Sequence, residues 1–278
     1  MAAQRLTLHL DPVRSAANLL LVLDVLGREP DTAYPSYGAI LERIRRDYDF
    51  TDRSEPLSLA HLLGLLSAQA DAIVLSPKAR TIATLRPAIQ ADVLHFLLAT
   101  AWQDNGDPSL GCAWAYRAFC DRLWSHGVIR IDATEGKSIV ADLLDEAQRA
   151  FPTLRLAALS PKSVLGMRKW LEPLSPPVLS DDQFRRREIC SSELLLLAIG
   201  HVARENGAQI SVDLPMTPAR REAICRLCLL EPAALDRALD RTIPAFPTII
   251  APGTRTGAFG RFIRLKTMPT VESLGASR

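Results

Sequence analysis

Ser160-Pro161-Lys162-Ser163-Val164-Leu165-Gly166-Met167-Arg168-Lys169-Trp170-Leu171 is the stretch on which the reading of the fold turns. Serine followed by proline is a helix start. The hydroxyl can accept from a free N–H of the first turn, and the fixed φ of proline suits the first helical position. Pro173 sets the other end. At about 100° per residue, Val164, Met167 and Leu171 fall on one face and are expected to point inward. Lys162, Gly166 and Lys169 fall on the opposite face, flanked by Ser163.

Working outward, a helix from about Ser109 carries Trp114, Phe119 and Leu123 and ends by Gly127. Val128-Ile129-Arg130-Ile131 suits a short strand, and Ile139, Val140, Leu143, Leu144 and Ala147 stripe a second helix over 137–150. After the quoted helix, Pro176-Pro177 leads into Val178-Leu179, Ser180-Asp181-Asp182 and 183–187, a candidate hairpin. The same order of elements recurs loosely on both sides, so three units are expected, at 1–104, 109–188 and 189–278. In the first, helices open at Asp11-Pro12, Pro35-Ser36 and Pro56-Leu57, the last extending over 57–70. Residues 72–75 and 80–85 then form strands around Ser76-Pro77-Lys78-Ala79, and a further helix runs from Arg86-Pro87 to about Trp102. The turn-forming run Asp104-Asn105-Gly106-Asp107-Pro108 is the expected linker. In the third, 189–204 is apolar nearly all round and suits a central buried helix. Helices follow at Thr217-Pro218 and Glu231-Pro232, then a hairpin over 246–265, and a frayed tail after Pro269.

Helix, strand, helix, helix, two-stranded wing resembles the winged helix-turn-helix order. The fold class expected is therefore mainly α with small β-hairpins, in tandem winged helix-turn-helix-like units. The resemblance implies DNA binding, with the third helix in the major groove and the wing on the backbone.

Composition narrows the function classes. Of 278 residues, 48% are hydrophobic and 23% charged, a globular balance that excludes disorder and fibrous repeats. Lys and Arg number 33 against 31 Asp and Glu, so only a local basic patch could hold a polyanion. The patch is expected toward the C-terminal side, since residues 1–110 carry a net −3 and 111–278 a net +5. No stretch approaches the ~20 apolar residues of a spanning helix, and residues 1–10 lack a signal core. A soluble, cytoplasmic protein without membrane contact is expected. The five cysteines are odd in number and scattered, which does not suit a disulfide framework. Cys225 and Cys228 form a lone C-x-x-C inside an apolar helical pattern. Without a second ligand pair they are expected to be structural, and no metal or cofactor is expected.

Catalytic motifs are set aside on spacing. Thr134-Glu135-Gly136-Lys137-Ser138 looks superficially like a P-loop, but Ile131 stands where that loop requires glycine. No G-x-S-x-G elbow occurs, and His9, His61, His95, His126 and His201 are isolated along the chain. Asp181-Asp182 and Asp145-Glu146 converge with nothing that would make a nuclease site. No enzyme activity is expected.

The candidate nucleic-acid site falls mainly in the central unit. Lys162 and Lys169 can meet phosphates or guanine edges, and Ser163 lies in a first turn that favours anions. The expected wing adds Arg185, Arg186 and Arg187, and the glycine-bearing stretch 253–261 of the third unit adds Arg255 and Arg261. The third helix of the first unit has no Lys or Arg, and that of the third unit alternates Asp236, Arg237, Asp240 and Arg241, which suits solvent. The expected function is non-catalytic binding of duplex DNA. The alternative is an adaptor subunit of a larger complex, using the same units for protein contacts or homodimerisation.

Overall fold

The structure is a computed structural model that describes residues 5–50, 54–69, 71–102, 107–156, 159–253 and 260–275. The chain is mainly helical, with a few small sheets, and it forms two compact units, Met1–Arg185 and Arg186–Arg278.

The first unit opens with β1 (Arg5–Leu6) and α1 (Ala16–Gly27), where the Ser15 hydroxyl accepts from the Asn18 N–H and Leu19, Val22, Leu23 and Leu26 are buried. Then come α2 (Tyr37–Asp47), capped by Ser36, and α3 (Glu55–Leu62). α3 stops well short of residue 70 because Gly64 takes a left-handed φ of 68°, which ends a helix at no steric cost. β2 (Leu66–Gln69) and β3 (Ala72–Leu75) form an antiparallel pair with Leu66 opposite Leu75, and Tyr34 bridges to Ile73 on the other edge of β3. The hairpin therefore lies upstream of its expected position. Residues expected as the second strand instead form α4 (Pro77–Ala83), because Ser76 accepts from the Ala79 N–H and Pro77 takes the first helical position.

α5 (Pro87–Thr100) follows, buried nearly all round, then α6 (Gly111–His126), ended by Gly127. β4 (Val128–Arg130), α7 (Ala133–Ala150), β5 (Arg155–Leu156), α8 (Pro161–Leu171), β6 (Leu179–Ser180) and β7 (Gln183–Arg185) complete the unit. β6 and β7 turn at Asp181 and Asp182, both at positive φ, as a two-residue hairpin loop requires. β4 pairs with β7, giving the sheet order β4-β7-β6.

In the second unit, α9 (Ser192–Glu205) has its run from Leu194 through Gly200 buried, as its apolar sequence demands. β8 (Asp213–Pro215), α10 (Pro218–Cys228), α11 (Leu235–Ala245), β9 (Ile250–Pro252) and β10 (Phe262–Leu265) follow, and α10 and α11 both pack on α9. The sheet order is β8-β10-β9. β8 has no counterpart in the sequence reading; three residues are too few to show an alternation. The tail is not frayed at once after Pro269, since Val271 and Leu274 are buried.

Candidate nucleic-acid interface

α8 begins and ends as its caps dictate, but its surroundings differ from those of a free groove helix. Val164, Met167 and Leu171 are buried, as the spacing requires, and Trp170 is buried beside them. Ser163 and Gly166 are buried as well. The cover is the N-terminal segment. Leu6, Leu8 and Leu10 are fully buried, and β1 runs parallel to β5 with Leu6 opposite Leu156. A Cβ on Gly166 would lie 2.0 Å from the Leu10 carbonyl oxygen, so only glycine allows this approach. The Trp170 indole N–H donates to the Arg14 carbonyl at 2.6 Å.

Ser163 Oγ lies 2.5 Å from His9 Nδ1 and accepts from the Ser160 N–H at 3.2 Å. His9 Nε2 in turn lies 3.6 Å from Asp11 Oδ2, which also holds Lys162 Nζ at 3.2 Å. Burial pushes the Asp11 carboxyl up, but the Val13 N–H and the Lys162 ammonium outweigh it and hold the group below its ordinary value. Serine, histidine and aspartate in a row invite comparison with a nucleophile, a base and an orienting acid. Ser163 has no exposed surface on which a substrate could land, so the chain of contacts ties residues 9–11 to α8. His9 reads as an isolated histidine and Asp11 as a helix start, whereas the helix opens only at Ser15; the alternation of Leu6, Leu8 and Leu10 with Thr7, His9 and Asp11 is the mark of an inward-facing extended segment.

What remains outward on α8 is the stripe Lys162, Leu165, Lys169 and Glu172. The Lys162 side chain is 63% exposed. Lys169 is 44% exposed, with Nζ 2.9 Å from Glu172 Oε2. Leu165, at 45%, lies between the two lysines. Arg168 turns inward, donating to the Ile131 carbonyl and pairing with Asp182.

The Arg185-Arg186-Arg187 run does not act together. Arg185 ends β7, exposed, opposite Val128, which is exposed too. Arg186 and Arg187 belong to the second unit. Arg186 lies 3.5 Å from Glu231. Arg187 is buried, its Nε donating to the Cys228 carbonyl at 2.8 Å and its backbone bridging to Leu230. Ser163 and Arg187 thus have no surface to offer a polyanion. Arg255 lies outside the described residues. Arg261 is three-quarters covered and pairs with Asp240 at 2.8 Å.

The remaining chemistry-bearing residues are dispersed. All five cysteines are buried thiols, and burial pushes Cys225 up to about 12. Among the described residues no cluster of His, Cys, Asp and Glu is arranged to hold a metal ion, and no helix is long and apolar enough to cross a membrane. His61 is exposed beside a shallow cleft that Arg14, Tyr37 and Ser58 also line, and His95 is buried, 2.7 Å from the Tyr116 hydroxyl. No protein-family model, curated protein or solved structure matches the chain.

Proposed function

We propose that the chain is a cytoplasmic, non-catalytic DNA-binding protein built from tandem winged helix-turn-helix units, near 1–104, 109–188 and 189–278. The order of elements supports the architecture. In 192–265 a helix, a strand, two helices and a hairpin follow one another, and in 111–185 the same order is interrupted only by β5 between the second and third helices; in both, the first strand pairs with the return strand of the hairpin. Around α1, α2 and α3 the Tyr34–Ile73 bridge occupies the position of that first strand.

The observation that supports the DNA reading is the solvent stripe of α8, the third helix of the central unit, where the Lys162 and Lys169 side chains reach solvent, each beside one carboxylate, with Arg185 exposed on the last strand. Because Ser163 and Gly166 are covered, contact falls on phosphates more than on base edges. The affinity is then electrostatic and strongly salt-dependent. The test is retention on heparin together with titration of a labelled duplex over a range of salt. Lys162→Ala with Lys169→Ala is expected to weaken binding and lower the slope of log affinity against log salt by about 2. An unchanged slope in a protein that binds DNA removes α8 from the interface.

A second reading, an adaptor subunit, is favoured by one feature. Leu165 stands exposed between two lysines that already have acidic neighbours, a mixed surface better suited to a protein than to a polyanion. Flow-through on heparin together with co-purification of a protein, lost in Leu165→Asp, would favour it.

A further inference from the structure

The second unit is the basic part of the chain. Residues 186–278 hold 13 Lys and Arg against 9 Asp and Glu, a net +4, whereas 1–185 hold 20 against 22, a net −2. Along α11 the signs alternate, and from sequence alone the helix reads as a solvated face. Side-chain pairing changes that reading. Asp236 is gripped by Arg221 from α10 through two hydrogen bonds of 3.0 and 2.7 Å. Asp240 is held by Arg261 at 2.8 Å, and Arg261 also donates to the Asp236 carbonyl oxygen. Arg221 and Arg261 hold the Asp236 carboxyl below its ordinary value, so it stays anionic and occupied.

Both acids of the helix are thus neutralised from the side by arginines outside it. Arg237 and Arg241 are left. They are four residues apart, hence on one face and about 6 Å apart along the axis. Arg237 is 65% exposed, and its nearest carboxylate, Glu188, is 3.9 Å away and more exposed still. Arg241 is exposed, and among the described residues it makes no ion pair. A guanidinium binds phosphate bidentately, and duplex DNA offers a charge for every ~1.7 Å of axis, so two arginines at this spacing can engage phosphates at once.

We propose that Arg237 and Arg241 on α11 form a second phosphate-contacting edge for duplex DNA. The inference rests on the DNA-binding reading above and extends it to the second unit. It identifies double-stranded DNA by its dense, regular backbone charge.

The experiment uses the full chain, fluorescein-labelled duplex DNA of mixed sequence, and anisotropy titrations over a range of potassium chloride. Arg237→Ala with Arg241→Ala is expected to weaken binding about tenfold at low salt and to lower the salt slope by about 2. Lys at both positions should restore the slope. Both side chains face solvent and Ala keeps helix propensity, so folding is preserved, which a melting curve checks. Unchanged affinity and slope, in a protein whose binding is weakened by Lys162→Ala with Lys169→Ala, overturns the α11 edge alone. Failure of the wild-type chain to bind the duplex overturns both readings. Tighter binding to single strands or to duplex RNA overturns the choice of DNA.

Discussion

Gly166 is the residue at which packing decides what α8 can do. In a helix interior glycine costs roughly 1 kcal/mol relative to alanine, so its presence needs a local reason. That reason is the Leu10 carbonyl, which occupies the place a Cβ would take. Gly166→Ala is therefore expected to destabilise the first unit by about 2–3 kcal/mol despite its better helix propensity, because backbone rather than a flexible side chain must move. A chemical denaturation series showing a loss of under ~0.5 kcal/mol would mean that residues 8–11 give way easily. Trp170→Phe should cost about 2 kcal/mol, since it removes buried ring volume and leaves the Arg14 carbonyl without its donor. The placement of Lys162 and Lys169 toward solvent could be read from helical spacing alone. The burial of Ser163 could not. Its partner, His9, is 154 residues away, and the periodicity of a helix says which residues share a face but not what covers that face.

Among the elements, those with strong local chemistry were legible and those that depend on pairing at a distance were not. α8 starts at Pro161 and ends before Pro173 because caps and prolines act within a few residues. Asp181-Asp182 turns β6 into β7 for a similar reason. The stretch from Arg80 to Leu85 has β-branched residues and suits a strand, yet Ser76-Pro77 upstream is a helix start, and it prevails. The Ser76 hydroxyl accepts from the Ala79 N–H and donates to the Gly64 carbonyl at 2.7 Å, tying α4 to the turn that ends α3. Ser76→Ala should cost about 1–2 kcal/mol, and Ser76→Asp, which keeps the cap acceptor but loses the donor, should recover part of it. Equal stability of Ser76→Ala and wild type in thermal melts would remove the cap as the cause. β8 and the β1–β5 pairing, three residues or fewer per strand, are set by what they meet in the fold and leave little trace in their own residues.

At the scale of the whole molecule, the division at Arg185 and Arg186 gives each unit a core of its own, and the thiols report on those cores separately. Cys112 and Cys120 are buried in the first unit; Cys190, Cys225 and Cys228 are buried in the second. Burial raises the Cys112, Cys120, Cys225 and Cys228 thiols above their ordinary range, because a thiolate loses its hydration there. The raised value keeps these groups protonated at neutral pH, and access is closed besides, so a maleimide reacts only after a unit opens. In a pulse-labelling series over increasing urea, read by intact mass, the folded chain is expected to take up no label. Opening should then come in two transitions, one adding two labels and the other three, with Cys112 and Cys120 in one group and the remaining three in the other. Loss of apolar burial governs each transition. Five labels gained together at a single urea concentration would show instead that the two cores unfold in one cooperative step.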